Sequence, residues 1–289
     1  MRLANIRRAD GKRILAIEVE GRGLLDASLL GFEDIFCIRE VYERGEGVLT
    51  RLTEAVATAP ASALLNERRI FWLPVCEADS KIFCVGLNYV GHAEELGLKI
   101  PKYPSIFSRY GTTCVGHEQP ILLPKSSDAV DWEGELALVI GRPIKNVGET
   151  ESRSALAGVT CFNDVSMRDF QERLPRITLA KNFDASGPMG PFLVTMDEVG
   201  SIDDLTLETR VNGITRQSAS TKEFIFGVDY LINLISQVCL LRPGDVIATG
   251  TPGGVGWAEK PPTYLKAGDV VEVEIEKVGI LRNYTIVEG

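Results

Sequence analysis

Basic residues are scarce in this 289-residue chain, in which 31 lysines and arginines are set against 40 aspartates and glutamates for a formal net charge of −9. They form no clustered block, which argues against a nucleic-acid partner, because binding to a phosphate backbone depends on concentrated cationic side chains. Long apolar runs are also missing, and the first residues lack the apolar segment of a signal peptide. We therefore expect neither a nucleic-acid partner nor a membrane span.

The six cysteines occur without any C-x-x-C pair, so the sequence suggests neither a zinc site nor a disulfide framework. We expect a reducing, cytoplasmic compartment. Only two histidines are present, His92 and His117. The second lies in Gly116–Pro120, which is typical of a turn.

The chain changes character near residue 78. Before it, we expect a small module with a strand over Arg13–Val19 and a helix over Leu49–Thr58. After it, glycine, proline and short apolar runs become dense. The length allows one large domain or two. We predict a small N-terminal domain over residues 1–78 and a catalytic domain over residues 79–289.

The segment Asp131–Gly141 has carboxylates where a strand would have core residues. Alternation places Asp131, Glu133 and Glu135 on one face, and the sequence turns wholly apolar after Glu135. Buried like charges need a divalent cation, a basic partner or a raised pKa. The alternative is a solvated strand, but Val271–Glu276 alternates cleanly and shows what such a strand looks like here.

Asp164 follows a predicted strand over Gly158–Asn163 and could add a third carboxylate, or it could cap a helix. Together with Glu133 and Glu135 it would form an oxygen-rich set suited to Mg²⁺ or Mn²⁺. His92 and Glu95, spaced i and i+3 on a short predicted helix ended by Gly97, could form an acid–base pair. A surface helix with an isolated histidine is the alternative.

Several other segments could contact a small anion, although each has an ordinary structural explanation. Lys181 could stabilise an enolate or be a surface lysine. Ser108 and Arg109 could present a hydroxyl and a guanidinium, or end a plain strand. The glycine-rich loop Thr249–Gly256, with Gly250 and Thr251, could bind an anion or be a tight turn, and it lacks the ending of a P-loop.

Other signals concern structure alone. Asn212-Gly213 predicts a hairpin, and Ser220–Glu223 predicts a capping box that opens the longest helix, over residues 223–240. We expect the glycine- and proline-rich Gly187–Pro191 to form a bend before a strand over Phe192–Thr195.

In combination, these segments resemble the fumarylacetoacetate hydrolase family over roughly residues 80 to 289. The matching stretches are Gly86–Tyr89 with His92 and Glu95, Asp131–Leu136, Asn163–Gln171, Lys181 with Phe183 and Asp184, and Pro243–Gly256. Two positions depart from the family pattern: Gly91 stands where relatives often carry aspartate, and Met167 where a small residue is usual.

The resemblance implies an α+β, β-rich fold, in which a mixed β-roll or sandwich forms the catalytic domain beside a small α/β N-terminal domain. It also implies a homodimer or higher assembly. One Mg²⁺ or Mn²⁺ would be held by Glu133, Glu135 and Asp164, with His92 and Glu95 as a dyad on a lid. Further site residues on this basis are Lys181 as a catalytic group and Arg109, Ser108, Gln171, Gly250 and Thr251 as substrate contacts.

From this site we expect a metal-dependent hydrolase that cleaves a C–C bond in a β-diketo acid, such as an acylpyruvate. The His92–Glu95 pair would activate water, and the metal with Lys181 would stabilise the departing enolate. The alternatives are an oxaloacetate decarboxylase, a keto–enol tautomerase or a 2-hydroxy-dienoate isomerase using the same site. A non-catalytic, metal-dependent ligand-binding protein is a second alternative. In each case the ligand would be a small anionic 2-oxo acid.

Overall fold

The computed structural model describes residues 1–45, 47–174 and 176–289. Strands dominate these residues, and the expected β-rich mixed fold is confirmed. No helix in the described ranges is both long and apolar enough to span a bilayer. In chain order, strands β1 to β18 are Arg2–Arg8, Arg13–Val19, Gly23–Asp26, Ile70–Trp72, Lys81–Gly86, Ser105–Tyr110, Cys114–Val115, Pro120–Leu123, Val130–Asp131, Gly134–Ile140, Leu156–Asn163, Ser166–Met167, Gly187–Thr195, Thr206–Val211, Ile214–Ser220, Val246–Ala248, Val270–Ile275 and Gly279–Val287.

Helices are short, and they lie in the connections between strands. In chain order, helices α1 to α8 are Ile38–Glu43, Gly47–Ala57, Val90–Glu95, Glu149–Ser152, Arg168–Arg173, Thr178–Lys181, Met196–Val199 and Val228–Val238. The predicted strand over Arg13–Val19 is confirmed. The helix expected from Leu49 is also confirmed, as α2.

The larger sheet has eleven strands, with the main order β3-β2-β1-β13-β11-β10-β16-β5-β6. Its N-terminal strands continue the same sheet as the later ones, since Leu3 of β1 pairs with Leu193 of β13. Strands β10 and β11 are central, and every residue of both is buried. Polar groups at the ends of these two strands therefore lie at the edge of the core. The domain division near residue 78 stays a prediction.

A second sheet of five strands, ordered β15-β14-β17-β18-β8, packs on the first, and Leu136, Val273 and Leu281 share one apolar cluster. Strand β17 alternates buried valines with more accessible glutamates, as its sequence predicts. The hairpin at Asn212-Gly213 is confirmed, with positive φ angles of 53° and 76° at its two central residues.

Two expected elements differ from the structure. The capping box at Ser220–Glu223 is present, but it caps a single 3-10 turn, and helix α8 begins only at Val228. Phe224 leaves the turn with extended backbone, which ends the first helical segment. The expected bend at Gly187–Pro191 is instead the buried first half of β13, where prolines are tolerated because the ladder with β11 is irregular.

The expected single strand from Asp131 is broken as well. Strand β9 ends at Asp131 and β10 begins at Gly134. Glu133 thus lies in the interruption. Its backbone N–H donates to the side-chain oxygen Oδ1 of Asn163 at 2.9 Å instead of to a main-chain carbonyl of a neighbouring strand.

Strands β11 and β13 lie too close together to accommodate a side chain at Gly158. A Cβ atom there would lie 2.1 Å from the carbonyl oxygen of Val194. Gly158→Ala should lower the free energy of unfolding by about 2 kcal/mol, because the backbone of β11 or β13 must shift.

Denaturant unfolding measures this effect. The matched control is Gly148→Ala, at an extended position where a Cβ would meet nothing within 4 Å; it should change stability by less than about 0.5 kcal/mol. Equal effects of the two substitutions would contradict the packing argument.

Candidate metal centre and active-site cavity

Three carboxylates meet at the edge formed by the central strands. Because β10 and β11 are antiparallel and Gly134 pairs with Asn163, the residues that precede β10 and follow β11 lie side by side. One carboxylate oxygen each from Glu133, Glu135 and Asp164 lies within 4.8 Å of the others, and all three residues are buried. The carboxylate set expected from the sequence is therefore brought together.

Buried cations surround two of these acids. Lys181 Nζ lies 2.6 Å from Glu133 Oε2 and 2.6 Å from Asp164 Oδ2. Arg168 Nη1 lies 2.7 Å from Glu133 Oε1, and Arg109 pairs with Asp164 Oδ1. Burial alone would raise the pKa of Glu133, but the charges of Lys181 and Arg168 lower it to about 2.

Glu135 forms no salt bridge with a basic side chain among the described residues. Its Oε2 accepts a hydrogen bond from Gly250 N at 2.9 Å. Burial, then the charges of Asp164 and Glu133, raise the pKa of Glu135 well above its usual range. A hard divalent cation fits this donor set, since three clustered carboxylate oxygens are its preferred ligands and its charge would relieve their repulsion.

A cavity of about 210 Å³ opens onto two of the acids. Its polar lining includes His92, Ser105, Glu133, Glu135, Arg168, Gln171, Lys181 and Thr251. The rest of its wall is mainly apolar, and it includes Leu96, Leu98, Phe107, Ile177 and Trp257. A small organic molecule inside would thus meet both charged and apolar groups.

The i, i+3 pair on α3 forms as its spacing predicts. His92 Nδ1 lies 3.0 Å from Glu95 Oε2, and the imidazole lines the cavity. The other oxygen of Glu95 accepts a hydrogen bond from Gly254 N at 2.9 Å. The glycine-rich loop therefore helps to fix the position of the Glu95 carboxylate. With Nδ1 bound to Glu95, Nε2 has no hydrogen-bond partner in the described ranges and is the ring nitrogen available for proton exchange.

Three residues that were expected to contact the substrate form hydrogen bonds with the acids or with residues near the cavity. Arg109 is wholly buried, bonds Asp164 and Ser186, and lies behind the carboxylates rather than on the cavity surface. Thr251 lines the cavity, but its hydroxyl donates to Gly134 O at 2.9 Å and accepts from Gln217. Gly250 contributes its backbone N–H to Glu135.

Ser108 is placed away from the cavity. Side chains alternate along β6, and Ser108 lies on the exposed side together with Ile106 and Tyr110. The opposite face carries Phe107, and Ser105 of the same strand lines the cavity in place of Ser108. Gln171 does reach the cavity, where its Oε1 accepts from Arg168 Nη1 at 2.9 Å.

Arg168 and Trp257 are two cavity residues to which the sequence analysis assigned no role. Arg168 is only 4% exposed, and its Nη2 atom has no hydrogen-bond partner in the described part of the chain. A usable signal was its position four residues after Asp164, at the start of helix α5, which directly follows strand β12. Trp257 follows the glycine-rich loop directly, which carried no comparable signal.

Comparison with known proteins agrees with the geometry. The family model described as the C-terminal domain of fumarylacetoacetate (FAA) hydrolase matches residues 81–287. The mitochondrial oxaloacetate tautomerase FAHD2A of Homo sapiens is 42% identical over 246 residues, which cover 84% of this chain and 78% of that protein.

Solved structures give the same result. The fumarylacetoacetate hydrolase of Exiguobacterium antarcticum superposes with a TM-score of 0.86 at 30% identity, over 100% of both chains. A 5-carboxymethyl-2-hydroxymuconate delta-isomerase from Mycobacterium smegmatis gives a TM-score of 0.76 at 32% identity, again over 100% of both chains. The chain therefore belongs to the fumarylacetoacetate hydrolase family.

Proposed function

We propose that the protein is a metal-dependent enzyme that interconverts the keto and enol forms of a small 2-oxo acid, with oxaloacetate as its substrate. The observation that carries this proposal is the clustering of Glu133, Glu135 and Asp164 with Lys181 at a cavity that His92 also lines. The name of the 42%-identical human relative supports the same reaction. Hydrolysis, which the sequence placed first, becomes the second candidate.

Glu133, Glu135 and Asp164 would hold one Mg²⁺ or Mn²⁺. When bound there, the cation would polarise the carbonyl oxygen of a 2-oxo acid and so acidify the neighbouring C–H bond. Lys181 places a further positive charge against Glu133 and Asp164, where negative charge on an enolate oxygen would develop. The buried position of Lys181 strengthens this effect, because water does not screen it.

His92 is the proposed proton carrier. Nε2 would remove a proton from C3 of oxaloacetate and return it to the carbonyl oxygen, directly or through water, so that the reaction is a net proton transfer. Glu95 orients the ring through Nδ1. No bond other than those to the moving proton needs to break.

Arg168 is the proposed contact for the second carboxylate of oxaloacetate. It lines the cavity, and its Nη2 has no partner among the described residues. A guanidinium nitrogen of this kind favours a carboxylate oxygen as its acceptor. A dicarboxylic acid could thus be held at both ends.

Hydrolysis of a 2,4-dioxo acid is the second candidate, because Glu95 fixes His92 well enough to activate water. The water oxygen would join the distal acyl carbon, the C–C bond would break, and the resulting enolate of pyruvate would take up a proton. Formation of acetate and pyruvate from acetylpyruvate, followed by NMR, would support this candidate. Loss of CO₂ from oxaloacetate would indicate decarboxylation instead.

We also propose that the protein is a homodimer or higher assembly and acts in the cytoplasm. The family resemblance supports the first statement, and the scattered cysteines, which form no C-x-x-C pair, support the second. The human relative is named as mitochondrial. Size-exclusion chromatography with light scattering would measure the assembly.

Glu135→Gln should lower the affinity for Mn²⁺ by at least about 100-fold, because the variant removes a charged oxygen ligand while keeping the side-chain shape. Calorimetric titration with Mn²⁺ measures the change. Glu274→Gln is the matched control, since Glu274 alternates with buried residues on the solvated strand β17. An unchanged Mn²⁺ affinity in Glu135→Gln would remove this acid from the metal site.

Glu95→Gln should slow oxaloacetate tautomerisation by about 100-fold, because the imidazole loses its charged partner. The rate is read from the ultraviolet absorbance of the enol, and Mn²⁺ affinity should stay unchanged. Glu94→Gln alters the neighbouring exposed carboxylate and should leave the rate as it is. A normal rate in Glu95→Gln would exclude the dyad from the reaction.

A further inference from the structure

Asp131 is a buried carboxylate to which the proposed chemistry gives no role. Its side chain is 0% exposed. Oδ1 accepts from the backbone N–H groups of Trp132 at 2.9 Å and Gly256 at 2.8 Å. Oδ2 accepts from Trp257 N at 3.0 Å and from Arg168 Nε at 2.8 Å. One carboxylate therefore joins strand β9, the start of helix α5 and the end of the glycine-rich loop.

Both partners of Oδ2 belong to the cavity wall. Arg168 and Trp257 each line the cavity, and the guanidinium carbon lies 5.8 Å from the centroid of the Trp257 ring. A single oxygen of Asp131 therefore fixes a cationic and an aromatic wall relative to each other. Without that acceptor, neither residue would keep this contact with β9.

The hydrogen bonds of Arg168 determine its orientation. Nε is bound to Asp131, and Nη1 is bound to Glu133 at 2.7 Å and to Gln171 at 2.9 Å. Because a guanidinium is planar and rigid, two fixed nitrogens also fix the third. Nη2 is buried, has no partner among the described residues and is held in one position beside the cavity that Arg168 lines.

Gly256 shows independently that the loop must approach Asp131 closely. A Cβ atom at this position would lie 2.9 Å from Asp131 Oδ1, 2.8 Å from the Trp132 ring and 2.0 Å from Thr263 O. Only glycine fits between these atoms without displacing the backbone. The contact between the loop and Asp131 is therefore built into the packing on three sides.

We propose that Asp131 is a positioning residue that sets the affinity for the second carboxylate of a dicarboxylic substrate, by aiming Arg168 and seating Trp257. This inference rests on the proposed function, since it concerns the second carboxylate of the proposed substrate. It assigns selectivity for dicarboxylates over monocarboxylates to a residue that does not touch the substrate.

Asp131→Asn tests the proposal with nearly unchanged side-chain volume. The amide oxygen can still accept from Trp132 and Gly256, but its NH₂ group would face the N–H donors of Arg168 and Trp257. The KM for oxaloacetate should rise by about tenfold or more, while kcat changes by less than about threefold. Mn²⁺ affinity should stay as in the wild type.

The ratio of the affinities for two ligands is a measurement that a purely structural role of Asp131 would leave unchanged. Tryptophan fluorescence, with Trp257→Phe identifying the signal of Trp257, should measure the affinities for oxaloacetate and for pyruvate, which lacks the second carboxylate. In Asp131→Asn the preference for oxaloacetate over pyruvate should fall about tenfold. Equal weakening of both ligands, or no weakening, would overturn the proposal.

Asp26→Asn is the matched control, because Asp26 is also buried and accepts from a backbone N–H and from Arg8. It should leave the preference unchanged, and an equal fall in this variant would also overturn the proposal. If Asp131→Asn does not fold, Arg168→Lys keeps the charge but not the rigid fork and should produce the same fall.

The two proposals fail in different ways. Absence of turnover of oxaloacetate and acetylpyruvate by the wild type would refute the proposed function, whereas the ratio of ligand affinities would still test Asp131. Normal turnover with an unchanged ratio in Asp131→Asn would refute only the positioning role.

Discussion

An excess of buried negative charge is the constraint on which the site depends. Seven ionisable side chains are buried together, and the acids outnumber the cations by one: Asp131, Glu133, Glu135 and Asp164 face Arg109, Arg168 and Lys181. An unpaired buried charge costs several kcal/mol or more. Glu135 is the acid most affected by this excess charge: its pKa is raised first by burial and then by the charges of Asp164 and Glu133. A bound divalent cation would make the net charge of this cluster positive, and the cluster would then attract an anionic substrate.

The fold holds these charges in place through its most rigid elements. The carboxylates stand at the ends of β10 and β11, which are buried along their whole length at the centre of the large sheet. By contrast, His92 and Glu95 lie on a short helix that touches the site through the glycine-rich loop. Fixed charges on the sheet and a proton carrier on a peripheral helix suit chemistry in which an enolate forms at one place and a proton moves in from another.

Local patterns were sufficient to predict the pair of acids Glu133 and Glu135, the His92–Glu95 pair and the Asn212-Gly213 hairpin, because each depends on spacing within a few residues. Asp164 is distant in the sequence, and only its place at the end of a predicted strand suggested it as the third acid. Patterns that depend on distant contacts were not readable. Ser105 and Ser108 lie on opposite faces of β6. Which of these faces points toward the cavity is set by the pairing of β6 with β5. Arg109 and Arg168 are both arginines near the acids, yet only the fold decides which of them lines the cavity.

The most direct test of the account is to measure Mn²⁺ occupancy and oxaloacetate tautomerisation in the same samples. Chelator-treated protein would be titrated with Mn²⁺, with bound metal counted by electron paramagnetic resonance and the rate by enol absorbance. We expect one Mn²⁺ per chain and a rate that rises in proportion to the occupied fraction. A full rate in protein that holds no metal would contradict the view that this charge cluster is a cation site for enolate chemistry.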